Sequence, residues 1–345
     1  MPHPPQSDQD ALSVVVPTYR RPDALRRCLQ ALEAQVEPAA SVVVVIRQGD
    51  RGTLEVAESF RSRLPLTLVC VQASGVVAAL NSGLARVCTP LVAFTDDDAA
   101  PRPDWVRRIR EHFRDPRVGG VGGRDVIHVE GDVRDEEVSR VGRILWFGRM
   151  VGNHHCRGAR QEVAFLKGVN MSYRTRLVPG FDTRLAGAGA QTCYELQASL
   201  RIRAAGWRLV WDPQVAVDHF PAERFEGEPR GRASRRGMID DIENQTYVLL
   251  SVLRGWRRVI AVAYGVMVGT RAAPGPVLAV AMLLAFRSWP AVLRGLAINL
   301  SGRARGFRTW AGRRDQPVAP PYASARVENE KRRLGRRWKQ LAGDG

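Results

Sequence analysis

The residues best suited to chemistry are three consecutive carboxylates, Asp96-Asp97-Asp98, placed directly after the apolar run Leu91-Val92-Ala93-Phe94-Thr95. An unbroken apolar run of this kind reads as a buried strand of a parallel sheet. In open α/β sheets, ligands bind just beyond the carboxyl ends of such strands. Three acids crowded there repel one another unless a cation neutralises them. Hard oxygen ligands on a loop suit Mg2+ or Mn2+, which such sites hold together with substrate phosphates. The plain alternative is a solvated acidic turn capping the next helix.

Two other groups of reactive side chains carry less. His154-His155-Cys156 has ligand-type residues but no second pair at zinc spacing. Five cysteines, Cys28, Cys70, Cys88, Cys156 and Cys193, are far apart and odd in number. This fits a reducing compartment rather than a disulfide framework. The opening MPHPPQSDQD is polar and shows no apolar signal-peptide core, so residues 1–10 are expected to be disordered and the location cytoplasmic.

The elements that must position the acids alternate strand and helix. Leu12–Val16 is a β-branched run ended by Pro17, and Ala24–Gln35 follows with Leu25, Cys28, Leu29 and Leu32 at helical spacing. Strands are expected at Ser41–Ile46, Leu66–Val71 and Leu91–Thr95, and helices around Leu54–Phe60, over Gly75–Val87 and over Asp104–Phe113. Such alternation predicts a parallel sheet with right-handed crossovers. After about residue 118 the pattern changes. Val118–Val129 is glycine-rich strand, Gly131–Arg160 is polar and irregular, and Tyr194–Ala205 is a helix ended by Gly206. Residues 221–243 read as a charged linker.

The chain has 345 residues and a formal net charge of +17. Residues 244–345 hold 18 Lys and Arg against four Asp and Glu, so 14 of those charges lie there. Arginines interrupt every apolar run of this region, and none reaches the roughly 18–20 residues that span a bilayer. Short apolar stretches flanked by Arg and Trp suit helices in an anionic membrane interface. Bland packing on the first domain is the alternative. No nucleic-acid motif is present, so no specific nucleic-acid partner is expected. Residues 244–314 are thus read as a helical, membrane-interfacial region and 315–345 as a loosely ordered basic tail.

Six motifs then fall in order: VVVPTYRR (14–21), SGVVAALNSGL (74–84), FTDDDAAP (94–101), KGVNMSYR (167–174), YELQASLRIRAAGWRLVWDP (194–213) and VAVDH (215–219). Together they resemble the family 2 glycosyltransferases of GT-A fold, over residues 11–220. The resemblance implies an α/β fold: a GT-A-type, mostly parallel sheet flanked by helices. Its Rossmann-like nucleotide-binding half covers about 11–115 and its acceptor half about 116–220. It implies inverting transfer of a sugar from a nucleotide diphosphate-sugar to a glycan or lipid-linked acceptor, with Mn2+ or Mg2+. With the basic, apolar C-terminal region, such an enzyme would be peripheral on the inner face of the cell membrane.

What the resemblance implies for single residues follows the motifs. Asp96 and Asp98 match the DxD, with Asp98 on the metal, Asp96 nearer the ribose or a metal-bound water, and Asp97 shaping the turn. Pro17, Thr18, Tyr19 and Arg20 would lie against base and ribose, and Arg20 or Arg21 could meet phosphate. The second strand often ends in a base-reading acid. Here Arg47-Gln48 stand in that place, and Asp50 is expected to take the role. Asn81 either binds base or ribose or packs locally. Gly168, Asn170 and Met171 match the segment beneath the donor sugar. An acidic pair usually opens the following helix. Here it reads Tyr194-Glu195, which makes Glu195 the general base, or else a capping acid. His219 is either a further metal ligand or structural. The His154–Cys156 cluster falls in the acceptor-side loop.

Two alternatives belong to other classes. A nucleotidyltransferase needs a glycine-rich phosphate loop after the first strand, where this chain reads PTYRRPD. A catalytically degraded membrane-binding relative would account for the missing acid at position 194.

Overall fold

The computed structural model describes residues 10–129, 132–133, 135–222, 234–285 and 288–312. Residues 1–9 and the tail from 315, both expected to be loosely ordered, lie outside the described residues. The first half alternates β1 (Leu12–Thr18), α1 (Pro22–Glu33), β2 (Ser41–Arg47), α2 (Arg51–Glu58), β3 (Leu66–Val71), α3 (Val76–Leu84) and β4 (Leu91–Thr95). Then come β5 (Ala99–Pro101), α4 (Trp105–Phe113) and the long β6 (Val118–Val129). Four two-residue strands follow: β7 (Asp132–Val133), β8 (Arg143–Ile144), β9 (Met150–Val151) and β10 (Gln161–Glu162). β11 (Asn170–Arg174), α5 (Tyr194–Ala204) and β12 (Arg208–His219) complete the sheet-forming region.

Strand order is β10-β12-β6-β11-β4-β1-β2-β3. β1, β2, β3 and β4 are mutually parallel, whereas β11 runs antiparallel to both β4 and β6. The sheet is therefore mostly parallel, with an antiparallel insertion. Alternate residues of each strand supply two cores. Leu12, Val14 and Val16 pack with α1, α2 and α4 on one face, and Val15, Val92 and Phe94 pack with α3 and α5 on the other. Coverage of both faces is why the strands read as continuous apolar runs.

The register of β11 matters for the site. Asn170 lies opposite Thr95, which carries Lys167 and Gly168 to the end of β4 where the three acids begin. β12 runs unbroken through Asp212-Pro213: a register shift between Asp212 and Val217 absorbs the proline, and the strand continues to His219. Opposite it, β5 pairs Ala99 with His219, which fixes that histidine beside the loop of acids.

The C-terminal region is helical: α6 (Arg235–Val252), α7 (Gly255–Met267), α8 (Pro276–Leu284) and α9 (Trp289–Gly312). The linker reading of 221–243 is corrected in its second half. Ser234 caps α6 by accepting the Gly237 N–H at 3.3 Å. The charges that suggested a solvated linker make tertiary contacts instead. Asp240 and Glu243 pair with Arg305 of α9, at 3.1 and 3.2 Å, and Asp241 accepts from Thr192 at 2.7 Å. α9 approaches α6 closely because it presents glycine: a Cβ on Gly306 would lie 2.6 Å from Thr246 Cβ and 2.7 Å from the Glu243 carbonyl. No helix among the described residues is long and apolar enough to cross a membrane.

α6 also holds the loop between β11 and α5. Tyr247 donates to Asp182 at 2.6 Å, beside a bidentate Arg184 pair at 2.8 and 2.9 Å and Gln197 at 3.1 Å. Burial opposes the charge, but these donors outweigh it and hold the Asp182 carboxyl well below the usual carboxylate range. A depressed native pKa contributes stability above the unfolded value of about 4, and that contribution is lost as pH falls below it. Tyr247→Phe should lower unfolding stability at pH 7 by about 1.5–3 kcal/mol, with a smaller loss at pH 3, as read by urea titration. Gly306→Ala should cost about 1–3 kcal/mol in the same assay by overpacking the α6–α9 contact. Unchanged midpoints would remove either feature from the account of stability.

Candidate active site

A cavity of about 370 Å3 opens at the carboxyl ends of the parallel strands. Pro17, Thr18, Tyr19, Arg21, Arg47 and Val71 line one part. Asp96, Asp97 and His219 form another wall, facing Lys167, Gly168, Gln191, Thr192, Tyr194 and Glu195. This is where open α/β sheets bind ligands.

The three acids have different surroundings. Asp97 is buried and ion-paired with Arg21 at 2.8 Å. Burial raises its carboxyl to about 6, against the pull of Arg21. Asp98 is fully buried. Its Oδ2 accepts the Ala222 N–H at 3.0 Å, and its Oδ1 lies 3.3 Å from His219 Nε2. The other ring nitrogen, Nδ1, is 2.8 Å from Asp125 Oδ1. Burial disfavours an imidazolium there, but Asp125 and Asp98 more than offset it, pushing the ring up to about 10. Asp96 is the acid least buried and lines the cavity.

Asp98 and His219 carry donor atoms of the types a divalent cation accepts. Adjacent ligands of an octahedral ion with bonds of about 2.0–2.1 Å are about 3 Å apart, close to the 3.3 Å between Asp98 Oδ1 and His219 Nε2. Asp125 supplies the outer carboxylate that commonly orients a ligating imidazole. Among the described residues no group of three or more His, Cys, Asp or Glu side chains is placed to hold a metal ion. Mg2+-like ions seldom require one, since they keep waters and share substrate phosphates.

Glu195 lies in the first turn of α5, behind Cys193, which adopts a left-handed φ of 70°. Its Oε2 is buried with no hydrogen-bond partner among the described residues. Burial raises the carboxyl from its ordinary value, and Lys167 pulls it back. Gly168 leaves room for Tyr194: a Cβ there would be 2.2 Å from Tyr194 Oη. Gly75, at φ 100°, likewise makes room for Gln191, whose Oε1 accepts the Val77 N–H at the start of α3.

Pro17, Thr18, Tyr19, Asp96, Asp97, Gly168, Glu195 and His219 therefore line one cavity, with Asp98 directly behind. Five expected residues, Arg20, Asp50, Asn81, Asn170 and Met171, do not. Asp50 caps α2 and accepts the Arg20 N–H, so it ties the β1–α1 loop rather than facing the cavity. Asn81 packs locally, exchanging two hydrogen bonds with the Phe181 backbone at 2.8 and 2.9 Å. Asn170 is buried between Trp105 and the Val215 carbonyl, and Met171 is core. Arg20 lies over the Tyr19 ring. His154 is a buried neutral histidine, lowered to about 4 by burial and bonded to the Phe165 carbonyl. Sequence reasoning assigned no role to Lys167, Gln191, Thr192 or Asp125. Lys167 was legible from its place in KGVNMSYR, whereas Gln191 and Asp125 carry no local signal.

Comparison with known proteins agrees with this architecture. Residues 9–236 match the family model described as glycosyltransferase-like family 2. The pre-mycofactocin glycosyltransferase of Mycobacterium tuberculosis is 29% identical over 222 residues, which is 63% of this chain and 44% of that protein. The validoxylamine A glucosyltransferase of Streptomyces hygroscopicus subsp. limoneus is 33% identical over 156 residues, 40% of this chain and 34% of that one. The matched segments thus span less than half of either relative. Among solved structures, the mannosyltransferase PcManGT from Pyrobaculum calidifontis, in complex with GDP-Man and Mn2+, superposes with a TM-score of 0.52 at 19% identity, covering 86% of each chain. S. aureus TarS 1–349 in complex with UDP-GlcNAc superposes with a TM-score of 0.56 at 16% identity, covering 87% of this chain and 89% of that one. At such identities the likeness is one of fold. With the family model covering most of the chain, this protein belongs to glycosyltransferase-like family 2.

Proposed function

We propose that the enzyme transfers a sugar from a nucleoside diphosphate-sugar to a hydroxyl of a glycan or lipid-linked acceptor, with inversion at the anomeric carbon. The observation that carries this is a shared cavity. Asp96 and His219, backed by Asp98, stand on one wall, and Glu195, whose buried Oε2 has no hydrogen-bond partner among the described residues, lines the same space. Two of the solved relatives by fold are complexes with GDP-Man and with UDP-GlcNAc, which supports a nucleotide-sugar donor.

The base and ribose of the donor fit the part of the cavity formed by Pro17, Thr18 and Tyr19, where Arg47 reaches over the tyrosine ring. The diphosphate fits nearer Asp96. Arg21 and Lys167 add positive charge to that wall, partly spent in the case of Arg21 on Asp97. Asp98 and His219 would hold Mn2+ or Mg2+, with Asp96 beside them, and such an ion neutralises charge on a departing diphosphate. Glu195 Oε2 accepts the proton of the acceptor hydroxyl as that oxygen bonds to the anomeric carbon and the bond to the diphosphate breaks. Burial suits Glu195 to this role, because it raises the carboxylate's basicity above that of a solvated glutamate.

Glu195→Gln should keep donor binding by calorimetry yet lose transfer by roughly 10²–10⁴-fold. Full turnover in that variant would take Glu195 out of the mechanism. Asp125→Asn should weaken Mn2+ binding in the presence of nucleoside diphosphate by about 10–100-fold, read by Mn2+ paramagnetic resonance. Asp98→Asn should abolish it, and undiminished Mn2+ affinity would refute the metal assignment.

A further inference from the structure

α8 is an anomaly for a helix in water. Its sequence, PVLAVAMLL, contains no polar side chain, and of its nine residues only Ala279 is buried. Leu284 is 75% exposed, Val280 56%, and Trp289 at the start of α9 is 65% exposed. α9 has two apolar stripes. Gly295, Ile298, Gly302 and Gly306 turn inward, while Leu293, Leu300 and Phe307 recur at helical spacing on the outside. α7 likewise exposes Trp256, Val259 and Met267. A helix that is apolar all round is ordinarily enclosed by protein or by lipid. Exposure of so many large apolar side chains on three neighbouring helices marks an interaction surface.

The charges select the occupant. From residue 244 to residue 312 the chain carries nine arginines and no aspartate, glutamate or lysine. Arg254, Arg257, Arg271 and Arg294 are exposed at the ends of, or between, the apolar stretches. A second copy of this face would bring arginine against arginine with no acid to pair. The remaining tail, residues 313–345, holds nine Lys and Arg against four Asp and Glu, so it offers no complement either. A nucleic acid would satisfy the arginines but not the leucines and tryptophans between them. An anionic bilayer satisfies both, with acyl chains for the apolar side chains and phosphate headgroups for the guanidinium groups.

We infer that α8 and the outer faces of α7 and α9 form a monotopic membrane-binding surface. α8 lies in the interface of an anionic leaflet, and Arg257, Arg271 and Arg294 engage its headgroups. α8 rises about 13 Å, so it enters one leaflet without crossing. Binding scales with both apolar burial and lipid charge, and exposed tryptophans seat at the headgroup level.

The test uses the full chain and vesicles of phosphatidylcholine with or without about one third phosphatidylglycerol. The wild-type protein should co-sediment with the anionic vesicles and far less with the neutral ones. The double variant Val280→Glu with Leu284→Glu should bind at least tenfold more weakly, with its thermal unfolding midpoint unchanged, since both positions face solvent. Arg271→Glu and Arg294→Glu should each weaken binding by about fivefold and flatten its salt dependence. Equal partition of the double variant, or indifference of the wild type to lipid charge, overturns the proposal. So does a concentration-dependent dimer of the wild type that the double variant disperses, because a second copy would then be the occupant. Duplex DNA that displaces the protein from vesicles and binds the double variant equally well would assign the arginines to nucleic acid instead.

Discussion

The site depends on how negative charge is tolerated where three acids leave one buried strand. β4 delivers Asp96, Asp97 and Asp98 into a space where water is scarce, and like charges so placed are costly. The protein supplies its own compensation. Arg21, just before α1, neutralises Asp97, and His219, at the end of β12, sits between Asp98 and Asp125. These two partners are more than 70 and more than 100 residues from the acids in sequence. The topology brings them there: β1 neighbours β4, and β5 returns to pair with the end of β12. Arg21 and His219 are not equivalent. The Arg21–Asp97 pair is a fixed structural charge pair, whereas an imidazole can give up its proton and ligate, as a guanidinium cannot. The acid triplet thus divides into Asp97, neutralised by Arg21, Asp98, which shares His219 with Asp125, and Asp96, the least buried of the three.

Much of this was legible in sequence because it is local. The strand that ends in acids, the α/β alternation and the helix that begins at Tyr194-Glu195 are each read from a single window of residues. The alternation placed β1 to β4 correctly, and Glu195 fell in the cavity through its register on the LRIRAAG helix. What could not be read is long-range. Asp125 lies in a glycine-rich strand and gains its role only when β6 pairs with β12 and brings it to His219. Asp50 was the only acid near the end of β2, but it is an N-cap, and a carboxylate accepting backbone N–H groups is already occupied. Asn81 had two readings, and the Phe181 backbone decides between them by using both ends of the amide.

The helical region gave the least away. Its charges and its arginine-broken apolar runs describe a surface, and nothing in the sequence shows that α6 also works inward. Asn244 accepts the Ala186 N–H and donates to the Ala186 and Thr192 carbonyls, at 2.7, 2.9 and 3.2 Å. Asp241 accepts from the Thr192 hydroxyl, and Tyr247 anchors Asp182. The segment so held carries Gln191 and Thr192 and runs through the left-handed Cys193 into Glu195. A strained residue at the start of a helix persists only where its surroundings over-determine it, and α6 supplies that constraint.

α6 reaches beyond residue 236, where the match to the family model ends, so the cavity loop is braced by an element that lies mostly outside that match. α6 in turn rests on α9 through Gly302, Gly306 and the buried Arg303, which donates to Thr246 and Gln245. One face of α9 therefore supports the helix that positions Glu195, and Leu293, Leu300 and Phe307 stand exposed beside that face. This two-sided construction gives the C-terminal helices a reason to be rigid as well as hydrophobic. Glycine at the α6–α9 contact removes the slack that larger side chains and their rotamers would introduce between the outer surface and the loop. A helix pair packed at backbone distance transmits position rather than absorbing it.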